Sequence, residues 1–251
     1  MWRDGVRVSD AEFARQKARP LLAMLLCAET AVHREVLVEA LWPDLPPERG
    51  VAALTTTVYS LRRALEPGLG RGTPPTVLVT DGPTYRLALG PRDDWDARRF
   101  LDLVREATAA TPTDLDALLA AEALYAGPLL PEWLYEDWSA PLRAEVDESF
   151  AAVLARLAEA LSASGQPGAA ISRYRRLLAK EPEREGWHRA LMRVYAQAGE
   201  RALALRQYQE CRAVLRNRLG IEPSKETRAL YAELLREDGE VAVERGAISP
   251  D

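Results

Sequence analysis

Residues 49–65 place Leu54, Val58, Leu61 and Leu65 at intervals i, i+4, i+7 and i+11, one apolar stripe of a helix. At about 100° per residue, the opposite side carries Thr56, Tyr59, Ser60 and Arg63, flanked by Thr55 and Arg62. Hydroxyls, a phenol and two guanidinium groups on one helix face have the chemistry to read base edges and clamp phosphates. An ordinary solvated face is the competing reading. Against it stands the run Thr-Thr-Thr-Val-Tyr-Ser, mediocre helix formers that helix stability alone would not select.

No other residue set points to chemistry. The glycines of Gly68-Leu-Gly-Arg-Gly72 follow a helix and lack the Lys-Ser/Thr of a phosphate loop. His33 and His188 have no cysteine or carboxylate at metal-ligand spacing. Cys27 and Cys211 each fall within an apolar helical pattern, as small buried residues do. The acidic clusters Glu136-Asp137 and Glu181-Pro-Glu183 sit at helix boundaries, where carboxylates favour helix N-termini. No catalytic residue, metal or cofactor is expected, and the chain does not read as an enzyme.

The 251 residues, 47% hydrophobic and 28% charged, match two ordinary globular domains. The longest apolar run, residues 21–28, is far short of the roughly 18 residues of a membrane span. The opening Met-Trp-Arg-Asp-Gly lacks the plan of a signal peptide, so a cytoplasmic, nucleoid-associated protein is expected. A net charge of −5 argues against indiscriminate coating of nucleic acid. Residues 1–90 carry 11 basic and 10 acidic side chains, whereas residues 91–251 carry 22 and 28. The front is the less acidic half.

Three helices are predicted at residues 17–27, 33–42 and 49–65, the second ended by Pro43 and the Pro46-Pro47 pair. A glycine- and proline-rich loop follows. Residues 77–80 and 85–89 then read as two strands joined at Asp81-Gly82-Pro83-Thr84, a hairpin. This order is that of a winged helix-turn-helix. Beyond a polar junction at residues 90–96 everything reads as helical, with an aromatic segment at Trp133, Tyr135 and Trp138. Those tryptophans, with Trp95, either dock the two halves together or fill the core of the second. Gly165 and Gly199, Ala170 and Ala204, Tyr174 and Tyr208, and Leu157 and Leu191 recur at a spacing of 34, the tetratricopeptide (TPR) period.

Leu61-Arg-Arg-Ala-Leu-Glu-Pro67, preceded by Leu41-Trp-Pro-Asp44 and followed by Tyr85-Arg-Leu87, resembles the OmpR/PhoB-type winged helix. The version it is most similar to is that of the Streptomyces antibiotic regulatory proteins. Tyr125-Ala-Gly-Pro-Leu-Leu130, Tyr135-Glu-Asp-Trp138, Ala190-Leu-Met192 and Leu219-Gly-Ile-Glu-Pro223 are similar to the bacterial transcriptional activator domain that follows it there. The resemblance implies a mainly α chain in two domains. Residues 1–92 form a winged helix-turn-helix with a β-hairpin wing and residues 93–237 an all-α TPR-like repeat domain, while residues 238–251, beyond the resemblance, read as a flexible tail.

The resemblance further implies an activator that binds direct repeats in double-stranded DNA and recruits RNA polymerase, often through its sigma factor. Thr55, Thr56, Tyr59, Ser60, Arg62 and Arg63 would then meet DNA from the recognition helix, and Thr84 from the wing tip. Asp44, Leu45 and Glu48 would face polymerase, and two copies would pair on DNA. Two departures stand out. Only residues 5–8 offer a strand ahead of the first helix, and Thr84 replaces the usual glycine before the hairpin tyrosine. The rival reading is a scaffold or sensor module of a larger regulatory protein, without DNA binding of its own. The weak basic excess of the front favours it, because phosphate neutralisation supplies much of DNA affinity.

Overall fold

The computed structural model describes residues 2–3, 6–7, 17–70, 72–90, 93–110 and 114–246, with side chains described within residues 17–236. It is mainly helical. The helices are α1 Ala18–Cys27, α2 Arg34–Leu41, α3 Pro47–Leu65, α4 Asp96–Ala109, α5 Leu115–Leu124, α6 Ala140–Ala163, α7 Pro167–Lys180, α8 Glu185–Gln197, α9 Arg201–Leu219 and α10 Lys225–Gly246. Strands β1 Trp2–Arg3 and β2 Val6–Arg7 pair antiparallel. Strands β3 Val32–His33, β4 Leu78–Asp81 and β5 Thr84–Leu87 form a second sheet in the order β3-β5-β4. Among the described residues, no helix is long and apolar enough to cross a membrane.

The structure departs from the sequence reading at short elements and ends. The candidate strand at residues 5–8 is a two-residue strand paired with an unexpected one, while Gly5 and Val8 lie outside the described residues. Strand β3 was not expected, since two residues carry no periodicity. Helix α10 continues past residue 237, where the sequence places the start of a tail. Gly239 costs only about 1 kcal/mol inside a helix, and the Glu-Val-Ala-Val-Glu that follows has no breaker. Residues 247–251 lie outside the described residues.

The contacts divide into two compact units, residues 1–106 with 123–148, and residues 107–122 with 149–251. The division passes through α4, α5 and α6 and does not follow the chain boundary at residue 92. In the first unit, Leu54, Val58, Leu61 and Leu65 of α3 are buried as the stripe requires, packed with Leu21, Leu37 and Leu78. Trp138 packs against this same core, and Trp133 lies beside it at 6.0 Å between ring centroids. Arg19 of α1 pairs with Glu132 at 3.1 Å and covers the Trp133 ring. Trp138 therefore docks on the helices of the front half, while Trp95 lines a separate cleft with Leu25 and Leu89.

Gly50 lets α2 and α3 meet. A β-carbon there would collide with Cγ1 of Val38, a β-branched side chain stiff in a helix. Gly50→Ala is expected to destabilise the chain by about 1–3 kcal/mol, as overpacking does. Chemical denaturation checks this, and adding Val38→Ala should recover part of the loss.

In the second unit the 34-residue offset has a structural meaning. Gly165 and Gly199 take left-handed φ values of 74° and 76°, ending α6 and α8 where a side chain would be strained. Ala170 and Ala204 are both fully buried, Tyr174 and Tyr208 nearly so, and Leu157 and Leu191 lie in the core. Glu122 of α5 is bound by Arg173 of α7 at 2.6 Å and also by Arg176.

His188 is buried between α8 and α9. Its Nε2–H donates to the Pro182 carbonyl at 2.7 Å, and its Nδ1 accepts from Gln207 Nε2 at 2.7 Å. Both bonds suit the neutral ring. Burial holds its pKa below 6.5, opposed by the Pro182 carbonyl and by Glu210 and Glu185. A depressed histidine contributes stability fully above pH 6.5, and that contribution is lost as pH falls toward the depressed value. The melting temperature should therefore drop as pH falls below about 6.5, the ordinary histidine value. In His188→Gln that fall below pH 6.5 should flatten.

Candidate nucleic-acid interface

Helix α3 begins at Pro47, with Pro favoured in the first turn and Glu48 meeting the positive end of the helix dipole. Glu48 thus belongs to the helix, two residues earlier than the sequence reading started it. Asp44 and Leu45 stay in the connecting turn, and all three side chains are exposed. At the other end, Arg62 and Arg63 offset the negative end of the dipole.

Along the outward face the hydroxyl protons are already used. Thr55, Thr56 and Thr57 donate to the carbonyls of Val51, Ala52 and Ala53 at 2.9, 3.1 and 2.8 Å, and Ser60 donates to Thr56 at 3.0 Å. Those bonds fix the rotamers, so the threonines can offer methyl groups and oxygen lone pairs to a partner. Tyr59 is 62% exposed. Arg63 is exposed and has no partner among the described residues. Thr56, Tyr59 and Arg63 therefore form a set facing solvent, with Thr55 and the half-buried Ser60 beside it.

Arg62 is placed differently. Its Nε donates to the Leu78 carbonyl at 3.0 Å and its Nη2 to Thr80 Oγ1 at 2.6 Å, so the guanidinium straps α3 to β4. A second strap, which the sequence reading missed, is Glu66. Its carboxylate is buried and accepts from Thr76 N at 3.0 Å, Thr76 Oγ1 at 2.7 Å and Val77 N at 3.3 Å. A glutamate closing a helix and a bend ten residues on give no pattern by which sequence could pair them.

The hairpin tip is also tied down. Gly82 has the positive φ, 54°, that tight hairpin turns require at the first loop position. Thr84 Oγ1 donates to Asp81 O at 2.8 Å, and Arg34 N of α2 donates to Pro83 O at 2.8 Å. The half-buried Thr84 hydroxyl thus serves its own turn first. Strand β5 pairs with β4 and β3 at once, Thr84 facing both Asp81 and His33. Sheet and straps hold α3 and the hairpin as one body.

Elsewhere, burial pushes the Cys27 thiol up to about 11 and that of Cys211 to about 12, so neither is a nucleophile at neutral pH. Among the described residues, no group of three or more His, Cys, Asp or Glu could hold a metal ion.

A family model described as the bacterial transcriptional activator domain matches residues 95–235. The chain belongs to this family. Among its activator-domain relatives is the transcriptional regulatory protein MoaR1 of Mycobacterium tuberculosis, 30% identical over 88% of this chain and 72% of that protein. The regulatory protein AfsR of Streptomyces coelicolor is 29% identical over 96% of this chain, which spans only 24% of AfsR. A solved structure of M. tuberculosis EmbR in complex with a low-affinity phosphopeptide superposes with a TM-score of 0.73. It is 29% identical and covers 88% of this chain, which spans 59% of the EmbR chain. MoaR1 and EmbR each match over 88% of this chain, more than the residues covered by the family model.

Proposed function

We propose that this activator-domain chain is a sequence-specific DNA-binding transcriptional activator. Residues 1–92 act as a winged helix-turn-helix, residues 93–237 as a TPR-like activator domain, and residues 238–251, which α10 enters, as a tail. Helix α3 enters the major groove with Thr56 and Tyr59 toward bases and Arg63 toward a phosphate or guanine, while Thr55 and Ser60 flank them. Thr84 and the hairpin tip approach the neighbouring minor groove. Arg62 serves the interface from behind, by holding the hairpin. Exposed Asp44, Leu45 and Glu48 face RNA polymerase, through its sigma factor, and two copies meet on DNA in the cytoplasm.

The observation that carries this reading is the exposed Thr56–Tyr59–Arg63 face, on which Thr56 is held by Ala52 and Arg63 has no partner among the described residues. The names of MoaR1 and EmbR, both transcriptional regulatory proteins, support it. A mobility shift with DNA from upstream of the chain's own gene, at about 50 and 200 mM salt, tests it. Specific retention that weakens with salt is expected. No retention at the lower salt would favour the scaffold or sensor reading.

A further inference from the structure

The segment between α5 and α6 presents an aromatic tip that the DNA reading leaves unused. Leu130 adopts a left-handed φ of 50°, uncommon for a branched residue. Arg143 then holds the chain around it, donating to the carbonyls of Leu129 at 3.3 Å, Leu134 at 2.7 Å and Trp133 at 2.8 Å, and to the Ser139 hydroxyl. The single Ser139 hydroxyl proton lies between the Glu136 carbonyl at 2.9 Å and the Trp133 carbonyl at 3.1 Å. On this braced loop Tyr135 is 99% exposed and Leu134 40%. Glu136 and Asp137 beside them are exposed and have no side-chain partner among the described residues. A rigid, amphipathic aromatic on a braced loop is the kind of residue that anchors a protein interface, because little entropy remains to be lost on binding.

The second unit holds a groove of about 680 Å³ between α7, α8 and α9. Leu178, Leu191 and Val214 make it apolar. At its rim stand the exposed Arg175, whose Nε and Nη2 donate to the Tyr195 hydroxyl at 3.2 and 2.8 Å, and the exposed Arg206, paired with Glu210 at 3.9 Å. On its lining, Gln207 spends its amide N–H on His188, which leaves its carbonyl oxygen to accept.

We propose that the Leu134–Tyr135 tip of one copy seats in the α7–α9 groove of a second copy, a head-to-tail contact between identical chains. The tyrosine ring covers Leu178 and Val214, its hydroxyl donates to Gln207, and Glu136 and Asp137 meet Arg175 and Arg206. Two arginines against Glu210 leave the rim net positive, so the charges match in sign, and the carboxylates that suit this rim would repel a nucleic-acid backbone. Each copy carries one tip and one groove, so the contact is heterologous and a copy can use both at once.

The test needs no DNA and is independent of the DNA-binding reading. Sedimentation of the full chain should show mass rising with concentration. Tyr135→Ala, which removes an exposed side chain, should weaken association at least tenfold, as should Arg206→Glu on the exposed rim. Mixing the two variants should restore a dimer and nothing larger, because one supplies an intact groove and the other an intact tip. Three results would overturn the proposal: a wild type that stays monomeric to about 100 µM, association that Tyr135→Ala leaves unchanged, or a mixture that stays monomeric. Circular dichroism of both variants confirms that they are folded.

Discussion

Replacing Thr56, Tyr59 and Arg63 together by alanine should abolish specific DNA binding while leaving circular dichroism and melting close to wild type. All three side chains point away from the stripe of Leu54, Val58, Leu61 and Leu65, and alanine is the better helix former at each position. A good base contact contributes about 1–3 kcal/mol, so losing three should weaken specific binding at least about a hundredfold. The single variants separate the roles. If Arg63 grips a phosphate, Arg63→Ala lowers affinity alike for all sequences and the salt slope falls by about one. If it reads a guanine, the loss is confined to the specific site. Thr56 already donates its proton to Ala52, so Thr56→Ala removes a methyl group and an acceptor. It should change sequence preference with little effect on salt dependence. Specific binding that survives the triple substitution in a folded protein would remove α3 from the interface.

Arg62→Met should do the opposite, destabilising the protein first and weakening DNA binding as a consequence. The half-buried guanidinium makes two charge-assisted bonds, and methionine keeps the stem while leaving the Leu78 carbonyl and Thr80 hydroxyl without it. A hydrogen bond to a charged group contributes about 1.5–3 kcal/mol, which sets the expected loss in a urea melt. Freed of its strap, the hairpin loses its fixed angle to α3, so affinity should fall even though the strap already takes two of Arg62's N–H donors. Arg63→Ala, one residue on, should leave the melt unchanged. Wild-type stability in Arg62→Met would mean that the strap does not hold the hairpin and that the arginine is available to DNA.

Much of this architecture lies in local pattern. The stripe of α3 was legible because period 3.6 follows from backbone geometry and needs no partner to be read. The same holds for the hairpin at Gly82-Pro83 and for the 34-residue offset, whose paired glycines, alanines and tyrosines do equivalent work in consecutive helix pairs. The outward set Thr56, Tyr59 and Arg63 followed from the same arithmetic. Arg62 did not. Helical angle placed it on the flank of that face, but the strand that claims it lies 16 residues away and only folding brings the Leu78 carbonyl within reach. Glu66 bound to Thr76, Arg143 bracing the Tyr135 tip and Trp138 packing on α1–α3 are of the same kind. In each, a polar or aromatic group is satisfied by a partner distant in the chain, and no local periodicity encodes such a partner. Sequence alone therefore determined which elements form and which faces they turn outward, while tertiary structure decided which of the outward groups are already spent.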